Sequence, residues 1–300
     1  MPLNVGIVGP PGAGKTTLFT ALTGVVPEAY GTPHVGVAAI PDERLDAVAA
    51  VEGSEKRTPA TIELIDVPGT AEAQLGGVRR ADALLAVVRD PSELQALDLE
   101  LLVADRDHVA RRLERVRKDA KSGSPELRAE VANLERLLAH IDEERPLRDW
   151  REELPRELEP LTAKPLIPIV NGPGGADLAL EAELRELPDE EAAQFRDGAG
   201  SALEEVVRQL AETLGLVVFY TAGEKEARAW TLRRGATALD AAATIHTDIA
   251  RGFIRCEVIG WRDLVEAGSR AEAARRGVQR LEGKAYEVQD GDVLNVRFNV

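Results

Sequence analysis

Val5-Gly6-Ile7-Val8-Gly9-Pro10-Pro11-Gly12-Ala13-Gly14-Lys15-Thr16-Thr17 decides the fold. Gly9 through Thr16 fill G-x-x-x-x-G-K-[ST], a loop whose glycines let successive backbone N–H groups turn inward on a phosphate. In such a loop Lys15 places a point charge on the β- and γ-phosphates, and the Thr16 hydroxyl reaches a Mg2+ ion. The apolar run over 4–8 reads as a buried strand. Leu18, Phe19, Ala21 and Leu22 read as one face of a helix whose N-terminus meets the anion. Strand, loop and helix are the setting the motif requires. Gly9, Pro10, Pro11, Gly12, Ala13, Gly14, Lys15, Thr16 and Thr17 are therefore expected to bind a nucleotide, with Lys15 on a solvent-facing loop.

Working outward, Val35–Ile40 and Thr61–Val67 read as strands with a helix over Arg44–Val51 between them. The second strand ends in Asp66-Val67-Pro68-Gly69, a D-x-x-G arrangement. There Asp66 holds Mg2+ through water, and the Gly69 N–H contacts a γ-phosphate. Lys15 and Gly69 are the expected catalytic groups. Coming after a phosphate loop, D-x-x-G favours a switch NTPase over a small-molecule kinase. The polar loop Val26–His34 is where a first mobile loop belongs. Thr32 is a candidate second Mg2+ ligand beside Thr16 and Asp66, and His34 is expected to hydrogen-bond within the loop.

Ala83–Arg89 is a further buried strand. Leu102, Val109, Leu113, Val116 and Ala120, then Leu127, Val131, Leu134, Leu138 and Ile141, recur at heptad-related spacings on either side of Ser122-Gly123-Ser124-Pro125. This predicts two antiparallel helices along a narrow apolar seam. Pro165–Val170 returns to the sheet and ends at Asn171, where a GTPase carries N-K-x-D; no Lys or Asp follows, so guanine specificity is unsupported. Residues 175–200 read as a loose acidic connection and Ala202–Leu214 as a helix. The tail is expected to hold strands at Val217–Tyr220, Ala227–Leu232, Arg255–Ile259, Ala285–Val288 and Val293–Phe298. A helix over Ala238–His246 and short helices around Trp261–Ala267 and Arg270–Arg276 complete a small α+β module.

Composition narrows the partners. The net charge of −15 argues against broad binding to DNA or RNA. It is uneven: residues 217–300 carry 13 Lys and Arg against 12 Asp and Glu, while 1–216 carry 24 against 40. Any RNA contact is thus expected in the tail. One cysteine, Cys256, excludes a disulfide framework and fits a reducing cytoplasm. Met1-Pro2-Leu3 leads straight into the first strand, so no secretory leader is expected, and no apolar run approaches the roughly 18 residues of a membrane span.

The residues also match a known family. Asn4–Leu22, Pro41-Asp42-Glu43-Arg44-Leu45-Asp46, Pro59-Ala60-Thr61-Ile62-Glu63, the helical hairpin and Ala163-Lys164-Pro165 resemble the YchF-type Obg-like ATPases, a branch of the translation-factor-related P-loop GTPases. The most specific likeness is in the tail: Thr221-Ala222-Gly223-Glu224-Lys225-Glu226-Ala227-Arg228-Ala229-Trp230-Thr231, Ile245-His246-Thr247-Asp248, Arg251-Gly252-Phe253-Ile254-Arg255 and Val288-Gln289-Asp290-Gly291-Asp292-Val293. The resemblance implies an α/β P-loop G domain with a mainly parallel sheet over 1–92 and 160–214. It implies an antiparallel coiled-coil insertion over 93–159 and a ubiquitin-like β-grasp (TGS) domain over 215–300. It also implies Mg2+, hydrolysis of ATP in preference to GTP, ribosome association and an apolar residue in place of the catalytic Gln.

The departures cluster. Gly12-Ala13 replace the family's Asn-Val, and the switch after Gly69 is short, running through Thr70–Val78 into Arg79-Arg80. Gly174 stands where the N-x-x-E motif has Glu. The segment after Asn171 is too short for the last G-domain strand and its base-contacting loop. Two readings follow: a slow NTPase using ATP or GTP, or a nucleotide-sensing adaptor that docks on ribosomal RNA or protein through hairpin and tail.

Overall fold

In a computed structural model the apolar runs become a parallel sheet that gathers the loop residues at one end. The structure describes residues 3–27, 32–68, 71–122, 124–196 and 200–299. In chain order the elements are β1 (Asn4–Val8), α1 (Lys15–Thr23), β2 (His34–Ala39), α2 (Arg44–Glu52), β3 (Lys56–Thr58), β4 (Thr61–Asp66), α3 (Ala71–Gly77), β5 (Ala83–Val88), α4 (Glu93–Asp119), α5 (Pro125–Asp142) and β6 (Leu166–Val170). There follow α6 (Leu178–Leu184), α7 (Asp189–Phe195), α8 (Ala202–Thr213), β7 (Leu216–Ala222), β8 (Glu226–Arg233), α9 (Ala238–Ile245), α10 (Thr247–Arg251), β9 (Phe253–Gly260), α11 (Trp261–Ala267), α12 (Arg270–Arg275), β10 (Arg280–Glu282) and β11 (Asp292–Phe298). The chain forms two compact units, Leu3–Gly36 with Glu63–Leu203, and Val37–Ile62 with Glu204–Val300. Among the described residues no helix is long and apolar enough to cross a membrane.

The sheet of the first unit runs β2-β4-β1-β5-β6, with β4, β1, β5 and β6 parallel. β5 is buried at every position, as a central parallel strand with both faces covered must be. Pro168 is tolerated because β6 is an edge strand and no neighbour needs its missing N–H. Parallel strands end on the same side, so the residues after β1, β4 and β6 converge there.

α4 and α5 pack antiparallel as expected. Leu102, Val109, Leu113, Val116, Leu134 and Ile141 form the seam. Leu137, off the predicted heptad, is fully buried as well. The reason is the return segment, whose Leu147, Trp150, Leu154 and Leu158 cover a second face of the hairpin. His140 sits in this cover. Its Nε2 donates to the Pro146 carbonyl at 3.1 Å, and its ring meets Trp150 edge-on.

Two expectations need correction in this half of the chain and the next. The loose connection expected over 175–200 is, among its described residues, helical over Leu178–Leu184 and Asp189–Phe195. α6 starts at an Asp177 cap, whose carboxylate accepts from Leu180 N, and buries Leu178 and Leu184; α7 buries Ala192. Glu181 of α6 joins Arg196 at 2.8 Å. Acidic exposed positions hid an amphipathic helix. In the tail Ala285–Val288 is not a strand: Glu287 makes a lone bridge to Thr237, and the strand lies at β10, paired with β9.

The second unit has a six-stranded sheet, β10-β9-β11-β7-β8-β3. α9 begins in a capping box of Thr237 and Asp240, and lays Ala238, Ala241 and Ala242 on Val217, Phe219 and Leu232. Cys256 is buried in that core, and burial pushes its thiol up to about 12, so it is an inert packing residue. β3, three polar residues that carry no strand signal, extends the sheet in parallel with β8. α2 packs on β7, β8 and α11.

The Pro41–Asp46 motif finds its partner here. Arg44 grips Asp42 at 2.8 Å and Asp290 at 2.5 Å, and Asp290 accepts from Val218 N at 2.8 Å. The fully buried Tyr220 donates its hydroxyl to Asp42. Burial alone would lower the Arg44 pKa, but the bonds to Asp42 and Asp290 outweigh it and raise it. Tyr220→Phe leaves a buried carboxylate oxygen short of a donor. It should cost this unit about 1.5–3 kcal/mol in urea unfolding; an unchanged midpoint would mean that Arg44 alone holds Asp42.

Candidate functional site

The phosphate loop is drawn tightly between strands. A Cβ at Gly9, where φ is +143°, would lie 2.1 Å from the Val87 carbonyl of β5. One at Gly14 (φ +102°) would lie 2.5 Å from the Asn171 amide. These positions take glycine for space as well as for backbone angle. Gly14 precedes α1 with no side-chain cap, so the first N–H groups of the helix stay open to an anion.

Lys15 lies on the solvent-facing loop expected, with Pro11 and Gly12 exposed, but its own side chain folds inward. It is 9% exposed, and its ammonium donates to the Gly9 carbonyl at 2.8 Å and the Pro10 carbonyl at 3.0 Å. Burial lowers its pKa, against the opposing pull of Asp66 and Glu100. The loop thus holds its own cation with carbonyls that a phosphate can replace. Pro11, Gly12 and Thr16 are exposed around it, and Thr17 is half-buried.

Asp66, at the end of β4, is 1% exposed. The Thr16 hydroxyl donates to its Oδ2 at 2.8 Å, and His34 Nδ1 lies 3.5 Å from the same oxygen. The structure therefore unites Lys15, Thr16 and Asp66 and adds His34, expected only to hydrogen-bond within the loop, which starts β2 beside Asp66. Thr32 is exposed two residues earlier; Gly69 lies outside the described residues. Thr16 and Asp66 offer hard oxygen donors side by side, which suits Mg2+. Asn171 braces the loop: its Nδ2 donates to the Ala13 carbonyl at 2.9 Å, and its Oδ1 accepts from Leu178 N at 3.3 Å. Gly172 to Gly175 then close a tight turn, in which Gly175 N donates to the Gly172 carbonyl at 2.9 Å.

Two further contacts escaped the sequence reading. Arg185, which caps the end of α6, donates to the Ala21 and Leu22 carbonyls near the end of α1. Arg79, just after the short switch, pairs at 2.7 Å with the fully buried Asp105 of α4. Asp105 also accepts from Leu161 N, Thr162 N and the Thr162 hydroxyl at 2.8–2.9 Å, so one carboxylate holds both ends of the hairpin. A charged residue one step from the seam, with partners 26 to 57 residues away, leaves no local signal.

An uncapped helix N-terminus, a lysine folded back on its loop and a carboxylate beside the loop's threonine make the first unit a P-loop nucleotide-binding domain. A family model described as "50S ribosome-binding GTPase" matches residues 4–123, and the YchF GTPase C-terminal model, described as a protein of unknown function, matches 216–299. The ribosome-binding ATPases YchF of Bacillus subtilis and Haemophilus influenzae are 32% and 36% identical to this chain, covering all of it and all of their own length. The YchF GTPase structure from Schizosaccharomyces pombe superposes with a TM-score of 0.81 at 26% identity, over 98% of this chain and 97% of that one. The chain belongs to the YchF family. The bacterial alignments run over 366 and 363 positions against 300 residues here, so those relatives carry positions that this chain lacks.

Proposed function

We propose that this protein is a Mg2+-dependent, ribosome-associated cytoplasmic P-loop NTPase that hydrolyses ATP or GTP slowly. The observation that carries the reading is the meeting of Lys15, Thr16 and Asp66 behind an uncapped helix N-terminus. Lys15 and the loop N–H groups stabilise charge on the transferring phosphoryl group. Thr16, with Asp66 through water and Thr32 from the first loop, would hold Mg2+, which would neutralise phosphate charge when bound. The Gly69 N–H would contact a γ-phosphate, and catalysis would rest on positioning and electrostatics. The similarity to ribosome-binding ATPases of bacteria and to a yeast GTPase supports nucleotide hydrolysis and a ribosomal partner over a silent adaptor. The functional parts are the G domain over 1–92 and 160–214, the hairpin over 93–159 and the β-grasp tail over 215–300. Phosphate release from Mg·ATP and Mg·GTP, with and without ribosomes, tests the reading. We expect slow release that ribosomes raise; binding without any release would overturn hydrolysis and leave the adaptor.

Base discrimination should be weak. Gly174 offers no carboxylate to a purine edge, and Asn171 is already committed to Ala13 and Leu178. A site that lacks hydrogen-bonding groups for its correct ligand cannot strongly reject an analogue. ATP and GTP dissociation constants should lie within about tenfold, a difference under about 1.4 kcal/mol. A hundredfold preference in calorimetry would assign base reading to another segment.

A further inference from the structure

We propose that the groove between α3 and the outer face of α4 docks a basic amphipathic helix of a protein partner. The surface lies apart from the phosphate loop, and the proposal does not depend on nucleotide hydrolysis.

α4 carries two faces. Leu102, Val109, Leu113 and Val116 belong to the seam with α5. Glu100, Val103, Asp107, Ala110, Glu114 and Arg117, at steps of three and four, make a second strip. α3 packs on only part of α4, because it has 7 residues where α4 has 27. The strip and α3 border a cleft of about 680 Å3, with Leu75, Val103 and Ala110 in its apolar lining. Val103 is 49% exposed, and Leu99, one turn earlier on the helix, is 53% exposed. Burying this apolar floor would be favourable.

Charge names the occupant. Glu72, Glu100, Asp107 and Glu114 rim the cleft, and among the described residues none of these carboxylates has an ion pair. The arginines beside them are largely spent: Arg79 pairs with Asp105 and Arg117 with Glu135. Arg111 donates to the Asp107 carbonyl at 3.3 Å. The rim therefore repels the phosphates of a nucleic acid and attracts Lys and Arg. The groove walls are helices, which spend their backbone groups internally and leave no edge for an extended peptide. A helix brings its own backbone bonds and can set apolar side chains at i, i+4 and i+7 into the floor. From Glu100 to Arg117 the strip runs about 26 Å, room for roughly five turns.

The test uses the full chain and a fluorescein-labelled designed peptide of about 17 residues, with Leu at i, i+4, i+7 and i+11 and Lys on the opposite face. By anisotropy, the wild type should bind it at least about tenfold tighter than a scramble of the same composition. Val103→Arg and the double variant Asp107→Lys/Glu114→Lys should each weaken binding at least about tenfold. These side chains are exposed, so the fold does not depend on them. Glu183→Lys/Glu186→Lys makes the same charge change outside the cleft and should stay within about threefold. Equal binding of the scramble, or equal loss in both double variants, would mean diffuse attraction to a chain of net charge −15, and overturns the proposal. Amide hydrogen exchange on the wild type needs no variant. The peptide should protect α3 and the 100–117 stretch of α4; protection confined elsewhere overturns the proposal. So does an RNA oligonucleotide that protects these same amides, which would make the cleft a nucleic-acid site.

Discussion

Asp105→Ala should destabilise the first unit by about 3–5 kcal/mol, the cost of leaving a buried charge without its partner. Asp105 is shielded from solvent on every side, and Arg79 is 12% exposed, so water can do little to replace the lost carboxylate. Leu161 N, Thr162 N and the Thr162 hydroxyl lose their acceptor in the same step. Two comparisons separate this from a general effect of charge removal. Arg79→Ala leaves Asp105 three of its donors but strips the counter-charge from the more deeply buried partner, and should cost a similar amount, about 3–5 kcal/mol. Arg106→Ala removes an exposed ion pair with Asp142, half open to solvent on both sides, and should cost about 0–1 kcal/mol. Urea unfolding should show both variants of the buried pair far more destabilised than Arg106→Ala. Equal effects from Asp105→Ala and Arg106→Ala would show that the hairpin root does not depend on the buried carboxylate.

The ranking also shows what the sequence could and could not tell. Gly9 to Thr16 were legible because phosphate binding uses consecutive backbone N–H groups, so its requirements fall on consecutive residues. Asp66 was legible because a carboxylate that ends an apolar strand has a fixed place relative to the loop. The hairpin seam was legible from its spacing, but Leu137 was not, since its burial depends on Leu147 and Leu158 from the return segment. Asp105 and Arg106 look alike in sequence, two charges in a charged helix. Only the positions of Arg79, Leu161 and Thr162 make one of them a clamp. β3 and α6 failed for a related reason. Lys56-Arg57-Thr58 becomes a strand because β8 offers an edge to pair with, and α6 because its apolar face has α1 to meet. His34 gave no signal beyond its type, because its place beside Asp66 depends on how closely Gly36 lets β2 approach α1.

Lys15→Ala should lower nucleotide affinity by roughly ten- to a hundredfold, about 1.5–3 kcal/mol, the worth of a charge-assisted contact. The resting geometry makes the loss specific to binding. Lys15 donates to two carbonyls of its own loop, Gly9 and Pro10, and does not hold distant parts of the fold together. Burial already disfavours its charged form in the free protein. A phosphate gives that charge a better partner than two carbonyls do, so the ammonium contributes more with nucleotide bound than without. Removing it opens the loop to water, which can satisfy both carbonyls, and should change the unfolding midpoint by less than about 1.5 kcal/mol. Asn171→Ala makes the contrast. It removes a brace between the loop and α6, so it should lose stability and affinity together. ATP and GTP binding that is unchanged in Lys15→Ala would end the phosphate-loop assignment, however well the fold agrees with it.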